Sequence, residues 1–549
     1  MRRRAFTPDA RPCDRAFTSA APRRVLSVGA VSDRPPSKNA PTDVAPGTPL
    51  NARIEAAITL LDSLIEDRAL LVNVPEDLRQ RLLMSAGRVS RPVRGEARKL
   101  AKAFRKKERG DVRAEDEAVL DSTEIRTLRR APIFPTPALA SPAPIRALGG
   151  GTGARNAPPS PHDASGDPTR ALHEPRKCYV CKAPFQHVHF FYDQLCAKCA
   201  ELNWEKRQQT ADCRGRVAIV TGARVKIGYQ ASILLLRAGA EVLATTRFPQ
   251  DAAARYARES DYAEWKDRIH VYGLDLRHTP SVEAFAKHVN DTYERLDFIV
   301  HNACQTVRRP PGFYTHLMDA ERAPLTALPA TEQRVLAGHA ALLARREHRH
   351  DAAALSQVPL LDEDHAPTAL LFPEGQLDQD LQQIDLRAAN SWRLTLADVP
   401  TIELLEVQLV NSIAPFVLSA RLKPLMLRHR TFDKHIVNVS AMEGQFYREH
   451  KTDKHPHTNM AKAALNMLTR TSAPDYVQDG IHMNSVDTGW VTDEDAAALA
   501  ERKVEVHGFH PPLDIVDGAA RIIDPIFHGL NTGEHLWGLF LKDYRAIPW

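Results

Sequence analysis

The spacing of apolar residues predicts helices in the first part of the chain and an alternation of strands and helices in the second. Between residues 51 and 130, apolar positions recur at helical spacing, as in "IEAAITLLDSLIEDRALLV". From residue 214 onward, short β-branched runs such as "VAIV" alternate with amphipathic helical segments. This alternation predicts an α/β fold, with a doubly wound parallel sheet of the Rossmann type.

Composition divides the chain into five predicted parts. Residues 1–50 and 131–175 are rich in proline and small residues without periodicity, so we expect a disordered tail and a linker. Residues 51–130, between them, form a predicted basic helical module. A cysteine-containing segment at 176–212 and an α/β domain at 213–549 follow. A chain of 549 residues with 43% hydrophobic content is long enough for more than one folded unit.

The charge distribution is more informative than the net charge. A net charge of +5 is small for this length and does not by itself indicate a nucleic-acid or membrane partner. Basic residues concentrate at 91–109, where a helix would suit a nucleic-acid backbone or an acidic protein. Because Phe104 is the only aromatic residue there, a solvated helix or an acidic protein partner is favoured. No run of about 18 apolar residues occurs, so no membrane-spanning helix is predicted.

The opening "MRRRAFTPDARPCDRAFTSAAPRRVL" is loosely similar to a mitochondrial transit peptide, because it is rich in Arg, Ser and Ala. Asp9, Asp14 and the prolines favour a plain disordered tail instead. We therefore expect a cytoplasmic protein rather than a mitochondrial one.

Four of the seven cysteines lie in "CYVCKAPFQHVHFFYDQLCAKC" as two Cys-x-x-Cys pairs. Four thiolates at this spacing can close a tetrahedron around zinc, and a closed site of this kind is structural. His187 and His189 in the intervening loop are alternative ligands, but ordinary polar roles are favoured for them. The predicted metal ligands are Cys178, Cys181, Cys196 and Cys199.

The segment "GRVAIVTGARVKIGYQASILLLRAGAEVLATTR" predicts a strand, a glycine turn, a helix and a second strand, an arrangement that presents backbone N–H groups to a pyrophosphate. The motifs "LDL", "HNAC", "VNSIAPF", "TNMAKAAL" and "NSVDTGWVT" follow in order. This succession resembles the short-chain dehydrogenase/reductase family from about Arg214 to the C-terminus. The resemblance implies a nicotinamide cofactor bound by Gly222, Arg224, Lys226, Ile227, Gly228, Thr246, Arg247, Asp275, Leu276, Asn302, Ala303, Lys462, Gly489 and Thr492.

The end of the second strand indicates which nicotinamide cofactor is bound. An acidic residue there would bind a ribose 2′-hydroxyl, but this strand ends with Thr246 and Arg247. Arginine suits a 2′-phosphate, so NADP is favoured over NAD. Lys226 replaces the middle glycine of the family's turn. It either pairs with a phosphate or lowers cofactor affinity, and the first alternative is favoured.

The resemblance implies a catalytic lysine and asparagine at Lys462 and Asn411, but the family's tyrosine position holds Thr458 and its serine position holds Ala441. A threonine hydroxyl has too high a pKa to replace tyrosine as an acid at neutral pH. Ser440 lies one residue early and therefore points to the opposite face of its strand. We therefore place Tyr447, His455 and His457, in the loop between the two altered positions, among the alternative proton donors.

Two functions from different classes follow. The first is an NADP-dependent oxidoreductase for a carbonyl or alcohol, with an atypical active site that includes Thr458. The second is a catalytically impaired NADP-binding scaffold or regulatory protein. An insertion at about 308–397, with a predicted helix at 330–350, should lie beside the substrate cleft as a lid or partner surface. We include a homo-oligomer among the predicted partners, although the ending "LFLKDYRAIPW" is not the family's usual closing segment.

Overall fold

The computed structural model describes residues 49–137, 170–345, 351–365, 369–447 and 451–549. Residues 1–48 of the predicted tail, and most of the predicted linker, lie outside the described residues. The chain divides into two compact units, Met1–Ala103 and Phe104–Trp549. This boundary falls inside the segment predicted as one helical module.

The strands are β1 Ala171–Lys177, β2 Pro184–His187, β3 Val217–Thr221, β4 Glu241–Thr246, β5 Ile269–Gly273, β6 Phe298–His301, β7 Lys434–Ser440, β8 Ile481–Asp487, β9 Phe540–Lys542 and β10 Arg545–Ile547. The helices are α1 Leu50–Glu66, α2 Glu76–Ser90, α3 Arg94–Asp121, α4 Glu124–Arg130, α5 Ala197–Arg207, α6 Lys226–Arg237, α7 Pro249–Ala257, α8 Tyr262–Trp265, α9 Thr279–Thr292, α10 Thr315–Glu321, α11 Ala330–Val335, α12 Ala337–Ala344, α13 Ala352–Leu355, α14 Thr401–Gln408, α15 Ala414–Met426, α16 Pro456–Tyr476, α17 Ala497–His507 and α18 Ile515–Thr532.

The first unit contains α1, α2 and the first turns of α3. Ile54, Ile58, Leu61 and Ile65 repeat along one side of α1 at helical spacing, yet all four are exposed, Ile65 to 71%. None of the described residues 49–103 is buried. The apolar pattern correctly predicted these helices, although their apolar residues remain uncovered.

The predicted fold class is confirmed by an eight-stranded sheet in the second unit. The strand order is β10-β9-β8-β7-β6-β3-β4-β5, and every neighbouring pair is parallel except β9 with β10. One apolar core packs α6 and α18 on one face, and another packs α9 and α15 on the other. This is a doubly wound sheet, with the carboxyl ends of β3, β4 and β6 along one edge.

The helix that carries Asn411 belongs to the second core. Thr401–Met426 is long and apolar enough by composition to cross a membrane. It consists of α14, a π-helical turn over Leu409–Ile413, and α15. Leu418, Leu422 and Leu425 are fully buried in the core beneath the sheet.

In its described residues, the insertion forms the short helices α10 to α13. The single helix predicted at 330–350 is wrong over 330–345, because α11 and α12 are separate and meet at Leu336, and residues 346–350 lie outside the described residues. Leu336 has φ −94° and ψ 2°, which is outside the α-helical region and ends α11. Phe248, directly after β4, packs in a small apolar cluster with Phe313 and Phe372 of the insertion. The insertion therefore lies beside the carboxyl end of β4.

The cysteine-containing segment packs on the α/β domain. Its hairpin, β1 with β2, is antiparallel, and α5 follows. Phe191, Tyr192 and Leu195 share a core with Leu513 and Val516, which lie immediately before and within α18. The arrangement buries the aromatic loop between the two cysteine pairs.

Candidate functional site

The predicted cofactor turn lies between β3 and α6 and is closed by the end of β6. A Cβ on Gly222 would come within 2.8 Å of the Cα of Ala303, and one on Gly228 within 2.2 Å of the Nδ2 of Asn302. The Asn302 amide donates to the carbonyls of Thr221 (3.0 Å) and Gly222 (3.2 Å). The two glycines are therefore required by the close approach of Asn302 and Ala303.

Lys226 begins α6 with φ +56°, a left-handed conformation that glycine adopts more readily. Burial lowers the pKa of Lys226, but Glu494, Asp380 and Asp378 outweigh this effect and raise it. The ammonium group therefore remains charged. A cofactor pyrophosphate at this turn would share the positive charge with these carboxylates.

Glu494 is a site residue that the motifs did not predict. Its carboxylate accepts hydrogen bonds from the hydroxyls of Thr492 (2.7 Å) and Thr306 (3.0 Å). Burial raises the pKa of Glu494, but Lys226 and the two hydroxyls lower it by more than burial raises it. The net pKa is therefore lowered, and the group is ionised. The Thr492 hydroxyl, one of the predicted cofactor contacts, already donates to Glu494. Gly489, a predicted contact three residues earlier, has φ +77°, and its N–H donates to Asp487 (2.7 Å).

The insertion reaches the cofactor turn through Arg224. Its guanidinium pairs with Asp251 at 2.8 Å and donates to the side chain of Gln382 at 3.4 Å. Arg255 donates to the carbonyl of Asp380 at 2.8 Å. Arg224 is therefore held by a carboxylate and by the insertion. Ile227, next along the turn, packs against the apolar core that α18 shares with the cysteine segment.

The end of β4 provides a cation without a carboxylate partner. Arg247 donates to the hydroxyl of Tyr314 at 2.6 Å, and its guanidinium lies 4.6 Å from the centre of that ring. Among the described residues, no carboxylate forms an ion pair with Arg247. Thr246 accepts a bond from the backbone of Phe248 (3.1 Å) and is buried.

Asp275, a predicted cofactor-binding residue that the family resemblance places at the adenine, is engaged inside the protein. Burial raises the pKa of Asp275, but the hydrogen bonds from Arg277, the closest of them 2.7 Å long, lower the pKa by more, so the net shift is downward. Arg277 also donates to Glu406 at 2.8 Å. Leu276, the neighbouring predicted contact, is buried. An adenine amino group would therefore meet a carboxylate that already has a partner.

Lys462 and Thr458 lie one turn apart on α16 and are both buried, 4% and 2% exposed. The Lys462 ammonium donates to the carbonyl of Val439 at 2.7 Å. No other acceptor in the described part of the chain takes a hydrogen bond from it. Among the described residues, none forms a hydrogen bond with the Thr458 hydroxyl. Both groups therefore retain hydrogen-bonding capacity inside the protein, which is costly unless a ligand uses it.

Asn411 positions the chain segment that follows β6. It lies in the π-helical turn, where its side chain accepts from the N–H of Gln305 (2.7 Å) and donates to the Gln305 carbonyl (3.1 Å). π-Helical turns often occur at functional sites because they re-aim one side chain. Asn411 therefore fixes the strand end next to Asn302 and Ala303.

The alternative proton donors have other contacts or full solvent exposure. Tyr447 is 93% exposed, and the His455 ring stacks on Trp392 of the insertion at 3.9 Å. The Nε2 of His457 lies 3.3 Å from a carboxylate oxygen of Glu403 on α14. Ser440, beside Val439, is buried with an unpartnered hydroxyl.

The residues predicted to hold the two riboses fit a bound cofactor better than those at the pyrophosphate. Lys462 has unused N–H donors, as a ribose diol requires, and Arg247 suits a 2′-phosphate. At the turn, Glu494 and Asp380 lie close enough to Lys226 to raise its pKa. The site therefore fits NADP, with an electrostatic cost at the pyrophosphate.

The four predicted metal ligands come together. The sulfur atoms of Cys178, Cys181, Cys196 and Cys199 all lie within 4.8 Å of one another. The Cys181 and Cys196 sulfurs are 3.6 Å apart, close to the ~3.8 Å expected for two thiolates on a tetrahedral zinc ion. His189 instead accepts a bond from the backbone of Phe191 (3.1 Å), and His187 is exposed.

Comparison with known proteins identifies the family. The family models "short chain dehydrogenase" and "Enoyl-(Acyl carrier protein) reductase" match residues 216–320 and 379–510. Uncharacterized protein R665 of Acanthamoeba polyphaga mimivirus is 30% identical over 370 residues, 64% of this chain and 71% of that protein. This chain is a divergent short-chain dehydrogenase/reductase. The stretch between the two matches lies inside the insertion of this short-chain dehydrogenase/reductase.

Named relatives match shorter parts of this short-chain dehydrogenase/reductase. Dehydrogenase/reductase SDR family member 13 of Bos taurus is 36% identical over 125 residues, 20% of this chain and 32% of that protein. Retinol dehydrogenase 11 of Mus musculus is 34% identical over 107 residues, 19% of this chain and 34% of that protein. The chain thus spans about a third of the length of these relatives.

Among solved structures, an NADPH-bound carbonyl reductase from chicken fatty liver is 18% identical, with a TM-score of 0.38. The alignment covers 61% of this chain and 100% of that chain. A short-chain dehydrogenase from Burkholderia cenocepacia in complex with NADP is 17% identical, with 60% and 97% covered and a TM-score of 0.38.

Proposed function

We propose that this protein is an NADP-dependent oxidoreductase that acts on a carbonyl or alcohol. The observation that carries the proposal is the buried Lys462 ammonium, which forms one hydrogen bond, to Val439, and has no carboxylate partner in the described part of the chain. A buried cation of this kind needs further acceptors, and the hydroxyls of a nicotinamide ribose supply them. Bound NADP would supply or accept the hydride.

The preference for NADP rests on Arg247. Among the described residues, its guanidinium forms no ion pair and contacts the Tyr314 hydroxyl and the adjacent aromatic rings, although Asp275 lies near enough to interact with it electrostatically. A ribose 2′-phosphate would form charge-assisted hydrogen bonds with it, whereas the hydroxyl of NAD would gain much less. We assign Arg247 to the 2′-phosphate.

Thr458 takes part in the proton-transfer step without being the proton source. Its unpartnered hydroxyl can donate a hydrogen bond to the oxygen of a substrate carbonyl, but it is too weak an acid to be the proton source at neutral pH. We therefore assign Thr458 to orienting the substrate oxygen, with water as the proton source. Slow turnover is expected from this arrangement.

The second candidate function, an NADP-binding scaffold without turnover, is favoured by Glu494. Its carboxylate accepts a hydrogen bond from the Thr492 hydroxyl and lies near Lys226, so the protein itself supplies an anion at the proposed cofactor site. The two functions differ in turnover, whereas both require NADP binding.

Calorimetry with NADPH and NADH, followed by assays with aldehydes and ketones, tests the proposal. We expect NADPH to bind more tightly than NADH, Lys462→Met to weaken both by roughly tenfold, and Arg247→Met to weaken NADPH alone. Lys423→Met, at an exposed ion pair with Asp475, is the matched control. Binding without turnover supports the scaffold, and no binding of either nucleotide contradicts both functions.

We also propose a structural zinc ion at the four cysteines. Four thiolates fill the coordination sphere, so this site has no position for a substrate. Its role would be to hold the first turn of α5 against the turn between β1 and β2, which carry the two cysteine pairs.

A further inference from the structure

Three histidines meet at the end of the sheet opposite to the cofactor site. His435 and His482 are the second residues of β7 and β8, and they are register partners in this parallel pair. Lys462 and Thr458 lie instead near the carboxyl end of β7, where Val439 is. His535 comes from the loop between α18 and β9. This histidine cluster is therefore separate from the proposed active site.

The nitrogen atoms of the histidine cluster lie at metal-binding separations. One nitrogen from each ring lies within 4.8 Å of the other two, and the His435 Nε2 is 3.0 Å from the His535 Nδ1. A tetrahedral zinc ion holds two imidazole nitrogens ~3.4 Å apart. Small rotations of the His482 and His535 rings would therefore complete three-nitrogen coordination.

Gly529 leaves room for two rings of the histidine cluster. A Cβ on Gly529 of α18 would come within 2.4 Å of the His535 Nδ1 and 3.0 Å of the His435 Nε2. Gly529 is buried and has a helical conformation, so its backbone does not require glycine. The absence of a side chain at this position is explained by the room that the two rings need.

A hydrogen bond outside the cluster orients the His482 ring, whereas the buried His435 Nδ1 has no partner among the described residues. The His482 Nδ1 lies 3.2 Å from the Lys434 carbonyl, which directs the Nε2 of that ring toward the cluster. Ligating histidines commonly donate their other N–H to a backbone carbonyl in this way. The loop of His535 is fixed by Asn484, which donates to the Leu536 carbonyl at 2.7 Å.

We propose that His435, His482 and His535 bind one divalent transition-metal ion, with zinc as the first candidate. Neutral imidazole is a preferred ligand for zinc, and three protein ligands leave a fourth position for water. The ion would connect β7, β8 and the loop that leads into β9, so that the last two strands are held to the sheet. It would be a second metal ion, independent of the four cysteines.

Metal analysis of the untagged full-length protein tests the proposal. After dialysis against buffer without free zinc, the double variant His482→Gln, His535→Gln is expected to contain about one metal ion per chain less than the wild type. His528→Gln, a neighbouring histidine on α18 outside the cluster, is expected to leave the metal content unchanged. Equal metal content in the double variant and the wild type would overturn the proposal.

Cobalt titration of the metal-free wild type provides a test that needs no folded variant. Cobalt bound by three imidazoles gives visible d–d bands without thiolate-to-metal charge transfer, whereas cobalt at four cysteines gives strong charge transfer. We expect both signatures in succession. A titration that ends with the thiolate signature alone would show that the histidine cluster binds no metal.

Discussion

At the residue scale, the proposed function makes Thr458 the side chain that limits proton transfer. It stands one turn before Lys462, where a tyrosine hydroxyl would be acidified by the neighbouring ammonium. We expect the double variant Thr458→Tyr, Ala441→Ser to raise kcat for carbonyl reduction by NADPH roughly tenfold or more, because general acid catalysis becomes available. The pH dependence of kcat should then show an ionisation that the wild type lacks.

A control variant and a contrary outcome make this prediction testable. Thr458→Phe introduces an aromatic ring of about the size of tyrosine without a hydroxyl, and it is expected to give no gain in kcat. Unchanged kcat in the double variant, together with unchanged NADPH affinity, would mean that the proton donor is not the missing part.

Under the proposed function, Glu494 sets the electrostatic cost of cofactor binding. Glu494→Gln keeps one acceptor oxygen for one of the two threonine hydroxyls, which bond to different carboxylate oxygens, presents an amide N–H to the other, and removes the negative charge near Lys226. We therefore expect NADPH to bind about threefold to tenfold more tightly, as measured by calorimetry. The control is Asp493→Asn, whose carboxylate pairs with Lys503 instead. Weaker NADPH binding by Glu494→Gln would show that the charge supports the site.

Glu321 makes stability depend on pH near neutrality. Burial raises the pKa of Glu321 to about 7, although it accepts hydrogen bonds from the backbone of Gln250 and Asp251. A raised folded-state pKa favours the protonated form. Its contribution to the free energy of unfolding is therefore complete below the unfolded pKa and is lost as pH rises through about 7.

Denaturant unfolding between pH 5 and pH 8 measures this dependence. We expect the wild type to lose roughly 1–3 kcal/mol more than Glu321→Gln over this range, because the variant does not titrate. Glu264→Gln, at an exposed position of α8, should behave as the wild type does. Parallel pH profiles for the wild type and Glu321→Gln would contradict the assignment.

At the element scale, local patterns predicted strands better than they predicted the insertion. The β-branched run "VAIV" was expected as a strand, and it forms the first four residues of β3. β-Branched runs between turns report burial in a parallel sheet, so their position depends little on distant contacts. The apolar residues at 330–350 suited one helix, but packing of the insertion against β5 and α7 replaces it with α11 and α12.

The candidate site shows the same division. Motif spacing predicted Lys462 and the four cysteines as site residues, because these residues are few in number and ordered along the chain. Glu494 was missed although it lies two residues after Thr492, because its role arises from Lys226 and Thr306, which are distant in sequence. Trp392, which stacks on His455, was missed because no local pattern places the insertion over α16.

The basic helix α3 is the element from which a partner is expected. Its basic residues between 94 and 109 are all exposed, and none forms an ion pair within the described residues. We propose an acidic protein partner, because Phe104 offers one aromatic ring for stacking on bases. Fluorescence anisotropy should show polyglutamate binding that Lys106→Glu, Lys107→Glu weakens, with little preference for single-stranded DNA. Tighter binding of single-stranded DNA would favour a nucleic acid instead.

At the scale of the whole molecule, the cysteine segment and the α/β domain share polar as well as apolar contacts. Arg207 on α5 pairs with Asp514 at 2.6 Å, and the Tyr192 hydroxyl donates to Asp517 at 2.6 Å. Both carboxylates belong to the start of α18. The segment should therefore unfold together with the domain.

Removal of the proposed zinc ligands tests this coupling. We expect Cys181→Ser, Cys196→Ser to lower the Tm of the α/β domain by about 5 °C or more in a single transition, because segment and domain share one core. Cys304→Ser, at an exposed cysteine outside the cluster, is the control. Two separate transitions, with the later one unchanged, would show that the segment folds independently.

The stacking of His455 on Trp392 connects two regions that the chain separates widely. His455 precedes α16 with φ +41°, and its N–H donates to the carbonyl of Leu394 in the insertion at 2.8 Å. The helix that holds Lys462 therefore starts against the insertion. Suppose that a ligand moves Trp392 and thereby changes the affinity of the protein for NADP by some factor. Thermodynamic linkage then requires NADP to change the affinity of the protein for that ligand by the same factor.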